Sequence, residues 1–145
     1  MRPFTAMEDD RVKVTATLVP HGPVFPAYMF RFDTNHGSVT FSGDTTHSKT
    51  LIRLAKYSDV LVHEALQIPP GVGLTEEVID HHKKSHVMVE DVGPVAQASH
   101  VDHLVLSHIE NTGGTIDPVE WHRLASRGYD GAVTVGQDLQ IITVA

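Results

Sequence analysis

The sequence predicts an α/β fold with a mixed sheet, in one domain that spans residues 1–145. First, stretches in which apolar and polar residues alternate, typical of strands, are followed along the chain by stretches with apolar residues at helical spacing. Second, turn residues such as Asn35-His36-Gly37 predict hairpins near both ends, which favours a mixed rather than a purely parallel sheet. Third, 41% hydrophobic and 20% charged residues are typical of a packed globular chain.

Each element is predicted from its own stretch. Residues 12–19 (VKVTATLV), 27–34 (AYMFRFDT) and 38–43 (SVTFSG) alternate as strands, and residues 48–57 carry apolar residues at helical spacing. Residues 59–65 (DVLVHEA) form a short strand, followed by a loop rich in proline and glycine at 67–74. The second half predicts a helix at 88–99, a strand at 103–108, a helix from Asp117 as N-cap with Pro118 first, and a terminal hairpin of 131–136 and 139–145.

Composition excludes several classes of protein. No apolar run approaches the roughly 20 residues of a membrane helix, and the first residues lack a signal-peptide core, so we expect a cytoplasmic protein. The net charge is -7 with scattered basic residues, which makes nucleic acid an unlikely partner. Without cysteine, any metal must be held by imidazole and carboxylate, and the chain has 11 dispersed histidines.

Polar side chains recur where the predicted strands end. These candidates are His21, Asp44, the pair His63 and Glu64, and His108; His86 lies at the entry to a helix. Chemistry in α/β sheets gathers at the carboxyl ends of strands. If the strands are neighbours, these side chains converge on one patch. Histidine and aspartate without cysteine are ligands that zinc, iron or manganese accept.

Each candidate also has a purely structural interpretation. Asp44 could be a helix N-cap, although Thr45 and Thr46 could cap equally well. His108 could be a buried imidazole bonded to the backbone. The others could be turn or surface residues, as we expect for His36, His47, His100, His103 and His122. The shared position at the same end of successive strands favours a site.

The ordered motifs resemble a known family. VPHG, FSGDT, LVHEA, the SH before a helix, LVLSHI and the ending YDGAVTVGQDLQIITV resemble the C-terminal part of metallo-β-lactamase-fold hydrolases, closest to the ribonuclease Z and arylsulfatase-like branch. The resemblance covers nearly the whole chain after Val12. It implies the C-terminal half of an αββα sandwich, with a mixed sheet and outer helices, so residues 1–145 would be a partial domain.

The resemblance also assigns metal ligands. His21 matches a ligand of one metal, Asp44 the carboxylate that bridges two metals, and His108 the final histidine on the second metal. Gly43 before the acid permits close approach of the backbone. The implied cofactor is a pair of zinc ions, with iron or manganese as alternatives.

The same resemblance implies a reaction. A metal-bound hydroxide would attack a phosphodiester, sulfate ester or related ester, while His86 would protonate the leaving group or steady the phosphate. His63 and Glu64 match a supporting pair behind the ligands. From His21 to Asp44 is 44 − 21 = 23 positions, too short for the arm that grips tRNA in bacterial members, which favours a small substrate.

Two departures from the family pattern matter. The signature His-x-His-x-Asp-His is absent, and His86 precedes Val87 rather than Ser or Thr. Each metal would then keep only two ligands, so we expect weak binding, and either a homodimer or a missing N-terminal half to complete the site. The alternative function is a non-catalytic remnant or binding module. A third interpretation takes the GDTTHSK turn as a phosphate-binding loop, but this turn lacks the glycine and lysine spacing of such loops.

Overall fold

The computed structural model describes residues 2–144. Within them the chain forms seven strands and four helices. In chain order these are β1 (Phe4–Glu8), β2 (Val12–Leu18), β3 (Tyr28–Thr34), β4 (Gly37–Phe41), α1 (Lys49–Ala55), β5 (Val60–Gln67), α2 (Glu76–Ser85), α3 (Val89–Ser99), β6 (His103–Asn111), α4 (Pro118–Ala125) and β7 (Ala132–Val135).

All seven strands form one mixed sheet in sequence order. Strands β1 to β4 are an antiparallel meander, and β4 to β7 are parallel neighbours joined by crossovers that contain the helices. The predicted mixed α/β sheet is therefore confirmed. The parallel strands share a direction, so β4, β5 and β6 end at the same edge of the sheet.

Helices α1, α3 and α4 cover one face of this sheet. Apolar residues of the parallel strands, such as Leu61 and Leu104, are fully buried there against Val92 of α3 and Trp121 of α4. Gly93 allows α3 and α4 to touch, because a Cβ there would collide with two carbonyl oxygens at the end of α4. This face holds the hydrophobic core.

The opposite face of the sheet is largely open. Val39, Phe41, Val62 and Val105 line a cavity of about 620 Å³ there, beneath the chain that follows β7. Phe41 is 44% exposed, so this apolar surface is only partly covered. The described residues therefore form two layers, helices on a sheet, with apolar side chains facing outward.

The predicted terminal hairpin is wrong. β7 runs parallel to β6 because the connection between them contains α4, and residues 139–144 form no strand. After β7 the chain turns at residues 138 and 139 and crosses the open face, where Ile142 and Val144 line the cavity. Ala145, the last residue of the predicted strand, lies outside the described residues.

Two elements were not predicted. β1 is an edge strand whose residues are all exposed, so it has no buried face to give alternation. α2 follows the proline- and glycine-rich loop and buries only Ser85, although Thr75 caps it and Glu76 and Glu77 occupy its first turn. No helix among residues 2–144 is long and apolar enough to cross a membrane.

Candidate active site

Asp44 follows β4 in a turn that its neighbours make specific. Gly43 has φ +58°, and a Cβ at this position would collide with the carbonyl oxygen of Tyr28. The N-cap of α1 is Ser48, whose hydroxyl accepts a hydrogen bond from the Leu51 amide at 3.3 Å. Asp44 is therefore not the cap of this helix, and its carboxylate is available to the site.

His108 reaches the site through a β-bulge. The prediction placed it at the end of a strand, but β6 continues to Asn111. The pairing with β5 shifts there: Glu64 pairs with Ser107, and Ala65 pairs with Ile109. His108 is the extra residue and has φ +44°, a conformation that is costly for a residue with a side chain. The bulge breaks the alternation of the strand at this residue.

His21 and His108 both approach the same oxygen of Asp44. The His21 Nε2 to Asp44 Oδ2 distance is 3.9 Å, and the His108 Nε2 to Asp44 Oδ2 distance is 3.5 Å. Two donors on one tetrahedral zinc ion, each about 2.1 Å from it, lie about 3.4 Å apart. The fold therefore brings the three predicted ligands together. The distance from each histidine nitrogen to Asp44 is close to that expected for two ligands of the same metal ion.

His86 lies between the two histidines. Its ring centroid is 5.0 Å from that of His21 and 6.3 Å from that of His108. It is the C-cap residue of α2, two residues before the N-cap of α3, and only 16% of its side chain is exposed. Burial, followed by the neighbouring His21, lowers the pKa of His86, so its ring is favoured in the neutral form.

Glu64 lies behind His86 and is buried. Its Oε1 accepts hydrogen bonds from the amides of Val87 at 3.0 Å and Thr45 at 3.3 Å, while its Oε2 lies 3.4 Å from His86 Nδ1. Burial raises the pKa of Glu64 to about 8 despite those two amides. A protonated Oε2 faces a neutral imidazole, so Glu64 can hold a proton toward His86.

His63 lies deeper and does not contact the three ligands. Its Nδ1 donates to the Glu64 carbonyl oxygen at 2.6 Å, and its Nε2 has no hydrogen-bond partner among residues 2–144. Burial lowers the pKa of His63 to about 4. His63 and Glu64 were predicted at a strand end, but both are inside β5, which extends to Gln67. Both are buried, so neither is the turn or surface residue that the structural interpretation allowed.

The donor set is incomplete for metal binding. Among residues 2–144 there is no group of three or more His, Asp or Glu side chains placed to hold one ion. The chemistry of the donors still suits zinc, iron or manganese, because imidazole and carboxylate are hard to borderline ligands. His21 and His108 each approach Asp44, and these are the two pairs of ligands that the family resemblance implies.

Ser85 was not predicted to contribute to the site. Its carbonyl oxygen accepts a hydrogen bond from His21 Nδ1 at 2.9 Å, which leaves His21 Nε2 to face Asp44. Main-chain acceptors have no residue-type signal. The start of α2 at Thr75 was readable from its cap residues, but the docking of its other end was not.

Comparison with known proteins gives relatives in sequence and in structure. Ribonuclease Z of Mycobacterium tuberculosis (strain H37Rv) is 29% identical over 137 residues, which is 93% of this chain and 50% of the relative. Ribonuclease Z of Mycobacterium avium (strain 104) is 28% identical over 135 residues, 93% of this chain and 48% of the relative. No family model matches the chain.

Solved structures agree on the fold. The metallo-β-lactamase fold protein YhfI from Bacillus subtilis matches with a TM-score of 0.71 at 18% identity, over 94% of this chain and 50% of that one. Human tRNase Z, short form, matches with a TM-score of 0.67 at 19% identity, over 99% of this chain and 46% of that one. The chain therefore has the metallo-β-lactamase fold, and its sequence is similar to that of ribonuclease Z.

These similarities bear on several predictions from the sequence. The family resemblance and the α/β fold are confirmed. The chain spans about half the length of the relatives it matches. Relatives named ribonuclease Z and tRNase Z stand against the prediction that nucleic acid is an unlikely partner. The arylsulfatase likeness, the C-terminal assignment, the homodimer and the cytoplasmic location stay predictions.

Proposed function

We propose that this chain carries part of the active site of a metal-dependent hydrolase that acts on a phosphodiester. The observation that carries the proposal is that His21 and His108 both direct Nε2 toward Asp44 Oδ2. Relatives named ribonuclease Z, and a structure named as a diphosphatase of the PhnP family with a TM-score of 0.64 at 19% identity, support a phosphate ester as the substrate class.

In this proposal each side chain has one task. His21, Asp44 and His108 would hold a pair of zinc ions, with iron or manganese as alternatives, and Asp44 would be the ligand that the two ions share. Bound ions supply Lewis acidity at the phosphoryl oxygen and lower the pKa of water. His86 gives a proton to the leaving oxygen. Glu64 replaces that proton through its Oε2, 3.4 Å from His86 Nδ1, and a buried carboxyl with a raised pKa suits this role.

The remaining metal ligands would come from outside these 145 residues, either from further sequence or from a second copy of the chain. A catalytic zinc ion usually has three protein ligands, and this chain supplies two for each ion. The open face of the sheet is where the supplying segment would pack. His108 lines the same cavity as Val39, Phe41 and Val62, so apolar surface and an exposed ligand adjoin there.

A second candidate function is a folded module without catalysis. It is favoured by the lack of a three-ligand group among the described residues. In that case the chain would bind a partner through the open face, and His21, Asp44 and His108 would hold no ion.

Elemental analysis separates the two functions. Purified chain is dialysed against a weak chelator and compared with Asp44→Asn and with Asp10→Asn, an exposed aspartate in the β1–β2 turn, as matched control. We expect bound zinc in the chain and in the control, and none in Asp44→Asn. Equal zinc in all three would refute the assignment of Asp44, and no zinc in any of them would refute a metal site that this chain forms by itself or with a second copy.

Substrate class needs its own assay. A metal-loaded sample is offered bis(p-nitrophenyl) phosphate, p-nitrophenyl sulfate and an RNA with a 3′ extension. We expect turnover of the phosphodiester that depends on Asp44 and His86. Cleavage of RNA alone would overturn the expectation of a small substrate, whereas turnover of the sulfate alone would move the chain toward sulfatases.

A further inference from the structure

The last turn of α2 is bound to the candidate site through its carbonyl groups. Lys83 O accepts a hydrogen bond from Thr46 Oγ1 at 2.9 Å, Lys84 O from the Gly22 amide at 3.1 Å, and Ser85 O from His21 Nδ1 at 2.9 Å. Carbonyls at the end of a helix have no partner within the helix. Here three successive ones are satisfied by the two loops that carry the candidate ligands.

The same contacts tie those two loops to each other. His21 and Gly22 follow β2, and Thr46 follows Asp44 after β4. The Thr46 amide also donates to the Pro20 carbonyl oxygen at 2.9 Å. Each loop is therefore bonded both to the other loop and to α2, which fixes the separation of His21 from Asp44.

Little else holds α2 in place. Ser85 is its only buried residue, and the remaining nine residues are exposed or partly exposed. A surface helix with one buried residue gains little from apolar packing. Its attachment to the molecule is therefore concentrated in the turn that meets the site.

We infer that the C-terminal turn of α2 is a positioning element of the site, which holds the His21 ring with Nε2 toward Asp44 and locks the two ligand loops together. The Ser85 carbonyl can only accept, so it fixes the proton on Nδ1 and leaves Nε2 free. The helix also directs the negative end of its dipole at this ring, which makes Nε2 a stronger electron-pair donor to a metal ion. Only the consequence for metal affinity rests on the proposed function.

Gly22 offers a way to displace this turn. It has φ +50°, and a Cβ at this position would collide with the hydroxyl of Ser85. That hydroxyl is buried and has no hydrogen-bond partner among residues 2–144, so we expect Ser85→Ala alone to leave the position of α2 and the tautomer of His21 unchanged. In Gly22→Ala with Ser85→Ala the clash is gone, because the new Cβ lies 3.4 Å from the Cβ of residue 85. The pair of variants separates displacement of α2 from backbone strain at Gly22.

The first readout is the tautomer of the His21 ring, from long-range ¹H–¹⁵N NMR spectra without metal. We expect the Nδ1-protonated form in the native chain and in Ser85→Ala, a mixture in Gly22→Ala, and recovery in the double variant. An Nε2-protonated ring in the native chain, or an unchanged tautomer in Gly22→Ala, would overturn the inference. Neither result depends on whether the chain binds metal.

The second readout is Co²⁺ affinity by calorimetry, for which loss of a partner behind a ligand predicts a loss of about 10- to 100-fold in Gly22→Ala and recovery in the double variant. Absence of Co²⁺ binding by the native chain would count against the proposed function and leave the tautomer result standing.

If Gly22→Ala does not fold, Thr46→Val tests the same turn. It removes the bond to Lys83 O, and faster hydrogen exchange of the Gly22 amide is expected; unchanged exchange would overturn the inference.

Discussion

His63 should make the fold sensitive to acid. It is fully buried, its Nε2 has no hydrogen-bond partner in the described part of the chain, and burial lowers its pKa from 6.5 to about 4 in the folded chain. Between these two pKa values, His63 is protonated in the unfolded chain and neutral in the folded chain. The contribution of neutral His63 is therefore complete above pH 6.5 and is lost as the pH falls toward 4, with a difference of about 2 kcal/mol between about pH 7.5 and about pH 5.

The neighbouring Glu64 acts in the opposite direction. Its pKa is raised to about 8, so the folded chain binds a proton at pH values where the unfolded carboxyl has lost it. Glu64 therefore adds stability as the pH falls from 8 toward 4.5, and the pH dependence of the native chain is a sum of two opposed effects. The test must compare the native chain with a variant at residue 63, in which the effect of Glu64 cancels.

The assay is urea unfolding followed by circular dichroism, on the native chain and on His63→Leu, which has a similar volume and no titrating group. The difference in the free energy of unfolding between the two should move by about 2 kcal/mol in favour of the variant on going from about pH 7.5 to about pH 5. His36→Gln, at an exposed turn residue, is the control and should follow the native chain. A difference for His63→Leu that does not change with pH would refute the reasoning.

Two further predictions concern local geometry. Gly43→Ala places a Cβ against the Tyr28 carbonyl oxygen at φ +58°, so we expect a loss of more than about 2 kcal/mol in urea unfolding; a loss below about 1 kcal/mol would contradict the turn described. Asp117→Ala removes the acceptor for the Val119 and Glu120 amides at the start of α4, and we expect a loss of about 1 kcal/mol by thermal unfolding. Asp117→Asn should keep most of that stability, and equal losses in both would show that charge rather than capping matters.

Much of the sheet was predictable because burial imposes a local pattern. β2, β3 and β5 have faces in contact with the core, and α4 begins at the predicted cap Asp117 with Pro118 first. The failures share a cause. β1 has no buried face, α2 buries one residue, and residues 139–144 look like a strand because they are apolar, although they cover an open face without pairing. The spacing of apolar residues in a sequence indicates which residues are covered by other parts of the chain. A segment can be covered in this way without pairing with another strand.

Residue type and position in the sequence were enough to predict which side chains belong to the site. Their distances and orientations could be known only from the structure. His21, Asp44 and His108 come together at the edge where the sequence placed them. The sequence did not show how these side chains are oriented toward one another. A β-bulge directs His108 to the site, and a main-chain carbonyl group orients His21. Neither bulges nor carbonyl acceptors leave a signal in a single sequence.

The four buried side-chain atoms that have no hydrogen-bond partner among residues 2–144 all lie close to the candidate site. They belong to His63, Glu64, His82 and Ser85. By contrast, the core beneath α3 and α4 is apolar, and its Trp121 donates Nε1–H to Gln67 Oε1 at 3.0 Å. Independent accidents of packing would scatter such costs through the molecule. Because buried polar atoms without partners persist where the surrounding structure is built to hold them, their position close to Asp44 favours a site under functional constraint over a chance meeting of histidines.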